Sequence, residues 1–368
     1  MKVNSQIFRA YDIRGIVKEE LSDELVKKLG KAIGTFLRRS NSDALNVCRD
    51  GRLSGPHISR LFIEGVLSTG CNVYNLDLGP TPLLYFSTFK TPIKNGVMIT
   101  GSHNPKNYNG FKIVVDQKTL SGESITEIKN LVKSEDFICG EGKEQKTPLL
   151  EKYQAEIKSK IKLKKNLKIV LDCGNGAGGT VAPTLFKDLG IELIELYSEI
   201  DGNFPNHHPD PGNPENLKDL IVKVREHKAH LGIALDGDAD RLGVVDNQGN
   251  IIFPDQYMSL IADHILKNNS GRKIVFDVKC SSKLKESISK SKGIPIMTRT
   301  GHSFIKKEIL KQNAILGGEM SGHIFFNDDW YGFDDGIYSA LRLIEIITKS
   351  EDSSSEMFNK FPQLFNTP

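Results

Sequence analysis

The feature that most constrains the fold is a pattern that occurs three times. A strand-like apolar run enters an acidic turn at NVCRDGR (46–52), KIVLDCGNGA (168–177) and KIVFDVKCSS (273–282). A second run follows a glycine each time, at GCNVYNLDL (70–78), GIELIELY (190–197) and GIPIMTRT (293–300). A third run opens into a polar, glycine-containing loop: TGSHNP (100–105), DGDADR (236–241) and GGEMSGH (317–323). Segments of helical period lie between the runs. Ser22 is placed to cap one of them, with Asp23 and Glu24 in its first turn and Leu25, Leu29, Ile33 and Phe36/Leu37 on one face. Strands separated by helices imply an α/β chain with parallel pairing. Ligands gather at the carboxyl ends of such strands, so the three loops are expected to face one cleft.

The pattern predicts three tandem related α/β domains, with mixed, mostly parallel sheets around a shared cleft. Their expected spans are 1–147 with the Ser102 loop, 148–250 with the aspartate loop, and 251–362 with the Glu319 loop. Residues 363–368 read as the start of a linker. A chain of 368 residues is too long for one core, in keeping with several domains. A net charge of +3 gives no reason to expect nucleic acid or an anionic membrane as partner. The N-terminus MKVNSQIFRAYDIRG lacks the apolar stretch of a secretory signal, and no run approaches the ~18 apolar residues of a spanning helix. Five dispersed cysteines form no C-x-x-C pair, which suggests reduced thiols and a cytoplasmic address.

The loops carry the chemistry. Asp236, Asp238 and Asp240 alternate around Gly237. Three carboxylates this close repel one another unless a cation sits among them, and hard oxygen ligands suit Mg²⁺ or Ca²⁺. An EF-hand is excluded, because Arg241 and Asn247 stand where its glycine and glutamate belong. Glu319, Ser321 and His323 offer acceptors and donors suited to sugar hydroxyls, or form an incidental polar turn. Ser102 is a nucleophile, a phosphate holder or a turn residue before Asn104-Pro105. It is not a hydrolase elbow, since Asn104 occupies the place of the last glycine in G-x-S-x-G. Gly174-x-Gly176-x-x-Gly179, with Glu195 beyond it, matches a dinucleotide fingerprint. Its position in one of three sister units favours a helix-starting turn instead. His207-His208 between prolines reads as a rigid surface loop rather than a metal site. Lys279 and His302 follow strands of the third unit, where each faces the cleft or caps a strand end.

Six stretches, in order, resemble the α-D-phosphohexomutase superfamily, on the side of the bacterial phosphomannomutase/phosphoglucomutase enzymes. They are FRAYDIRG (8–15), TGSHNPKNYNGFK (100–112), NHHPDPGNPENL (206–217), DGDADRLGVVD (236–246), GGEMSGH (317–323) and DDGIYSALRLIE (334–345). Gly101 and Met320 fit that branch better than the phosphoglucosamine mutases, which tend to carry Ala and Gln there. The resemblance implies a phosphotransferase that interconverts hexose 1-phosphate and hexose 6-phosphate, of mannose and/or glucose, through a hexose 1,6-bisphosphate. It makes Ser102 the phosphoserine, and makes Asp236, Asp238 and Asp240 with Ser102 the ligands of one Mg²⁺. It places Arg14 and Lys112 near the phosphate, and makes Lys112 and Arg241 candidates for proton transfer or charge stabilisation. His103 joins this set as a loop-shaping neighbour. Tyr11, Lys279, Gly301, His302, Glu319, Ser321 and His323 fall on the substrate side. Phosphoryl transfer needs charge neutralisation and in-line positioning, which this mixture of acids and bases supplies.

Family members carry a fourth, smaller domain, and the sequence ends at Pro368 where it would begin. Weak substrate affinity is therefore expected of these 368 residues by themselves, since remote binding energy orients substrates. A monomer is expected. A Mg²⁺-dependent sugar phosphatase and a non-catalytic phosphosugar-binding protein are the alternatives, separated by whether the product is free phosphate, hexose 6-phosphate or nothing.

Overall fold

A computed structural model describes residues 4–361. The expected linker, 363–368, lies outside the described residues. Ser22 Oγ accepts from Leu25 N, and the helix Asp23–Arg39 follows, burying Leu25, Leu29, Ile33 and Leu37. Three sheets form. In the first, strand Ala44–Arg49 pairs in parallel with Asn72–Leu78 on one side and Gly96–Ile99 on the other. In the second, Lys168–Asp172 lies in the same way between Glu192–Leu196 and Leu231–Leu235. In the third, Lys273–Asp277 lies between Ile294–Thr298 and Leu316–Gly318. The order third–first–second thus recurs in all three sheets.

Each third strand also turns back on itself. Tyr108–Val115 returns antiparallel to Gly96–Ile99, Leu242–Asp246 to Leu231–Leu235, and Ile324–Phe326 to Leu316–Gly318. The sheets are therefore mixed, with a parallel centre and an antiparallel edge. The Ser102, Asp236–Asp240 and Glu319 loops are the turns of these three hairpins. Equivalent placement in the fold is what brings them together. The central strands are buried on both faces, as strands between helical layers must be.

One apolar cluster crosses all three units. Leu83, Leu84 and Phe86 from helix Thr81–Lys90 join Tyr153 and Ile157 of the connecting helix Leu150–Lys160. Leu171, Leu235, Phe276, Trp330, Phe333 and Ile337 complete it from the other units. Phe86 stacks on Trp330 with ring centroids 6.2 Å apart, and Tyr85 meets Phe333 at 5.5 Å. A second cluster fills the opposite face of the first sheet alone. Among the described residues no helix is long and apolar enough to cross a membrane.

Candidate active site

Ser102 is buried in the turn between Gly96–Ile99 and Tyr108–Val115, with φ at +47°. A left-handed serine costs about 1–2 kcal/mol, so its surroundings must hold it there. The turn Asp50–Arg52 does so from beneath. Asp50 Oδ2 accepts from Thr100 Oγ1 at 2.7 Å and from Gly101 N at 3.2 Å, and Thr100 Oγ1 accepts from Ser102 N at 2.7 Å. Ser102 Oγ donates to Asp236 Oδ2 at 3.0 Å and lies 3.1 Å from His103 Nδ1. The approach of the two loops requires Gly237: a Cβ there would sit 2.5 Å from Ser102 O.

Asp236, Asp238 and Asp240 are fully buried. Asp236 Oδ1 ties its own loop by accepting from Asp240 N and Arg241 N, both at 3.1 Å. Lys112 Nζ bridges the other two, at 2.7 Å from Asp238 Oδ2 and 2.5 Å from Asp240 Oδ2. Thr81 also donates to Asp238, from Oγ1 to its carboxylate and from N to its carbonyl, at the start of helix Thr81–Lys90. A ligand oxygen from each aspartate lies within 4.8 Å of the others. Asp238 Oδ1 and Asp240 Oδ1 are buried and have no hydrogen-bond partner. Orphaned buried carboxylate oxygens are costly, and a hard divalent cation is the group that satisfies them. Burial, then the two neighbouring carboxylates, pushes Asp236 well above the usual carboxylate range. Burial acts the same way on Asp238, but Lys112 outweighs it and holds the group low.

A cavity of about 370 Å³ opens over Ser102. Tyr11, Arg14, His103, Lys112, Arg241, His302 and His323 all line it. Burial, then Arg241 and Arg14, drives His103 down to about 2, so its ring is neutral. Arg241 Nε donates to His323 Nε2 at 3.0 Å. A guanidinium only donates, so that nitrogen carries the lone pair and His323 Nδ1 carries the proton. Nδ1 lies 2.9 Å from Asp334 Oδ2, and Lys306 Nζ holds Asp334 Oδ1 at 2.9 Å. Glu319 is buried, accepting from Gly301 N at 2.5 Å and from Ser321 Oγ at 3.0 Å. Lys279 stands apart, exposed in the turn after Lys273–Asp277. Arg52, Thr81 and Asp334, which no sequence motif singled out as functional, prove to hold the site's parts in place.

Models of the phosphoglucomutase/phosphomannomutase alpha/beta/alpha domains I, II and III match residues 5–138, 150–249 and 253–365. The chain belongs to the phosphoglucomutase/phosphomannomutase family. It is 50% identical over 362 residues to a Pseudomonas syringae phosphomannomutase/phosphoglucomutase, covering 98% of this chain and 78% of the relative. It is 45% identical over 368 residues to a Neisseria gonorrhoeae phosphoglucomutase, covering 80% of that protein. A crystal structure of a Burkholderia thailandensis phosphoglucomutase/phosphomannomutase family protein superposes with a TM-score of 0.97 at 42% identity, covering all of this chain and 81% of that one.

Two other motifs find their place within this phosphoglucomutase/phosphomannomutase fold. The glycines of 174–179 make room for protein backbone: Ala177 N donates to Gly237 O at 2.9 Å, and a Cβ on Gly176 would meet that same oxygen at 2.8 Å. Glu195 is engaged by Lys187 at 2.5 Å. His207 faces acceptors on both ring nitrogens, Asp172 Oδ2 and His208 O, each at 2.9 Å. Burial lowers its pKa, but Asp172 outweighs that and raises it, as suits an imidazolium bracing a loop.

Proposed function

We propose that this chain is a phosphohexomutase that interconverts the 1- and 6-phosphates of mannose and/or glucose through a phosphoserine at Ser102. The observation that carries the reading is the position of Ser102 Oγ: buried, 3.0 Å from Asp236, and open to a cavity walled by Arg14, Lys112 and Arg241. The triad with its two orphaned oxygens fits Mg²⁺, which together with the Ser102 phosphate would complete a hard oxygen set. When bound, Mg²⁺ neutralises charge on the transferring phosphoryl group.

The protein groups divide the remaining work. In the first half-reaction the phosphorus–oxygen bond at Ser102 breaks as a bond to the sugar hydroxyl oxygen forms, and the hydroxyl proton ends on Ser102 Oγ. His103, 3.1 Å from that oxygen, is held too weakly basic to carry the proton and shapes the loop around Ser102. The second half reverses these changes with the other phosphate of the hexose 1,6-bisphosphate. Burial opposes the charge on Lys112 and on Arg241, yet the aspartates hold both pKa values above their ordinary values. Both residues are therefore charge stabilisers rather than proton carriers. Glu319, Ser321, His302 and His323 supply the sugar side, with a phosphorylated hexose as the partner of a monomer. Ser102→Ala tests the proposal. Turnover should be abolished, and the phosphoryl mass present on the wild type should be lost. Near-wild-type mutase activity in that variant would falsify the scheme.

A further inference from the structure

We propose that Arg52 is the positioning residue that holds Ser102 in its reactive conformation, an inference that rests on reading Ser102 as the phosphoryl carrier. Arg52 is 1% exposed and lies under the Ser102 turn. Its Nη2 donates to Ser102 O at 2.7 Å and to Asn104 O at 2.6 Å. Its Nη1 donates to Pro105 O at 2.6 Å and to Tyr108 O at 3.0 Å. Its Nε lies 3.3 Å from Asp50 Oδ2, an ion-pair distance without a hydrogen bond, and Phe204 of the second unit covers the guanidinium with its ring 5.3 Å away. One planar cation therefore gathers four main-chain carbonyls of a single turn. Arg52 is not among the residues that line the cavity over Ser102, so it is not a substrate-phosphate ligand.

The arrangement solves a specific problem. Ser102 has a left-handed backbone, and its side chain must point at Asp236 while the turn gains and loses an anionic group. A rigid fork fixes the carbonyls of Ser102, Asn104, Pro105 and Tyr108 in one geometry, whatever the charge on Oγ. Lysine cannot replace it, because an ammonium is a point charge with three donors and no plane. Gly101 adds to the device: a Cβ there would stand 2.4 Å from Arg52 Cζ, so an alanine at that position requires the guanidinium or the loop to shift.

Arg52→Lys in the full chain is the test, with three readouts. These are steady-state kinetics on a hexose 1-phosphate, Ser102 phosphorylation by hexose 1,6-bisphosphate followed by intact mass, and amide exchange across residues 101–108. The expected result is a kcat lower by about 10²-fold, the scale on which small misplacements of reacting groups act. KM should stay within about threefold, phosphorylation of Ser102 should slow in parallel with kcat, and faster exchange should be confined to 101–108. A kcat within about threefold of wild type overturns the proposal. So does protection lost throughout the first unit, which would make Arg52 a general core residue. If the wild type neither carries phosphate on Ser102 nor turns over, the mutase reading fails on its own. The exchange data then still decide whether Arg52 sets the turn.

Discussion

Lys112→Met separates the two cations that the aspartate triad can hold. Lys112 has a 5% exposed side chain, and its ammonium is shared by Asp238 and Asp240. Methionine keeps most of the volume, so the cavity contribution is small and the loss is electrostatic. Removing one partner of a buried ion pair costs about 3–5 kcal/mol. Because Lys112 serves two carboxylates, the upper end applies, which for a chain of this length corresponds to a melting temperature lower by about 6 °C in EDTA. The same change leaves the triad more anionic and should raise its affinity for Mg²⁺. A cation present at about 1,000 times its dissociation constant restores roughly 4 kcal/mol. Thermal melts of both proteins, in EDTA and in millimolar Mg²⁺, give the answer. The Mg²⁺-induced shift should be clearly larger in the variant than in the wild type, while turnover falls because a charge stabiliser is gone. An equal Mg²⁺ shift in the two proteins would refute the idea that the triad is a cation site balanced by Lys112.

Gly101→Ala forces a Cβ to within 2.4 Å of the Arg52 guanidinium and should cost about 1–3 kcal/mol of overpacking. It should also lower kcat; an unchanged kcat would show that the loop tolerates displacement. Asp335 caps the helix Gly336–Thr348, accepts from Tyr153 Oη at 2.7 Å, and is pushed by burial from 3.8 to about 7. The folded state then binds a proton that the unfolded state has released. Stability should fall as pH rises from about 4 to about 7, by up to roughly 4 kcal/mol at 1.36 kcal/mol per unit, and stay low above that. Asp335→Asn keeps an acceptor for Tyr338 N and should remove this slope. In urea titrations at several pH values, a constant difference between variant and wild type would count against it.

The threefold recurrence was legible because apolar runs, glycines and turn residues repeat in register, and the sheets follow it strand for strand. Ser102 and the aspartates were legible because their side chains do the chemistry. Arg52 was not, although it stands in the first acidic turn. Its acceptors are main-chain carbonyls, which leave no mark on a sequence. Asp334 falls in the stretch DDGIYSALRLIE, but its partners Lys306 and His323 come from separate elements that only the fold brings together. Thr81 reads as an ordinary helix start after Pro80 until Asp238 is placed beside it. Lys279 shows the reverse limit. A position just after a strand fixes proximity to the sheet end but not the direction of a long side chain, and this one is exposed.

The apolar cluster shared by the three units has a consequence for how the chain is made. Helix Thr81–Lys90 leaves the ribosome long before Trp330 and Phe333, the rings that cover Phe86 and Tyr85, have been synthesised. At about 5–20 residues per second, the roughly 240 intervening residues take about 12–50 s. Through that interval the first unit has one finished side and one side whose aromatic partners have not yet been made. The N-terminal third is completed only when nearly the last of the described chain folds back onto it.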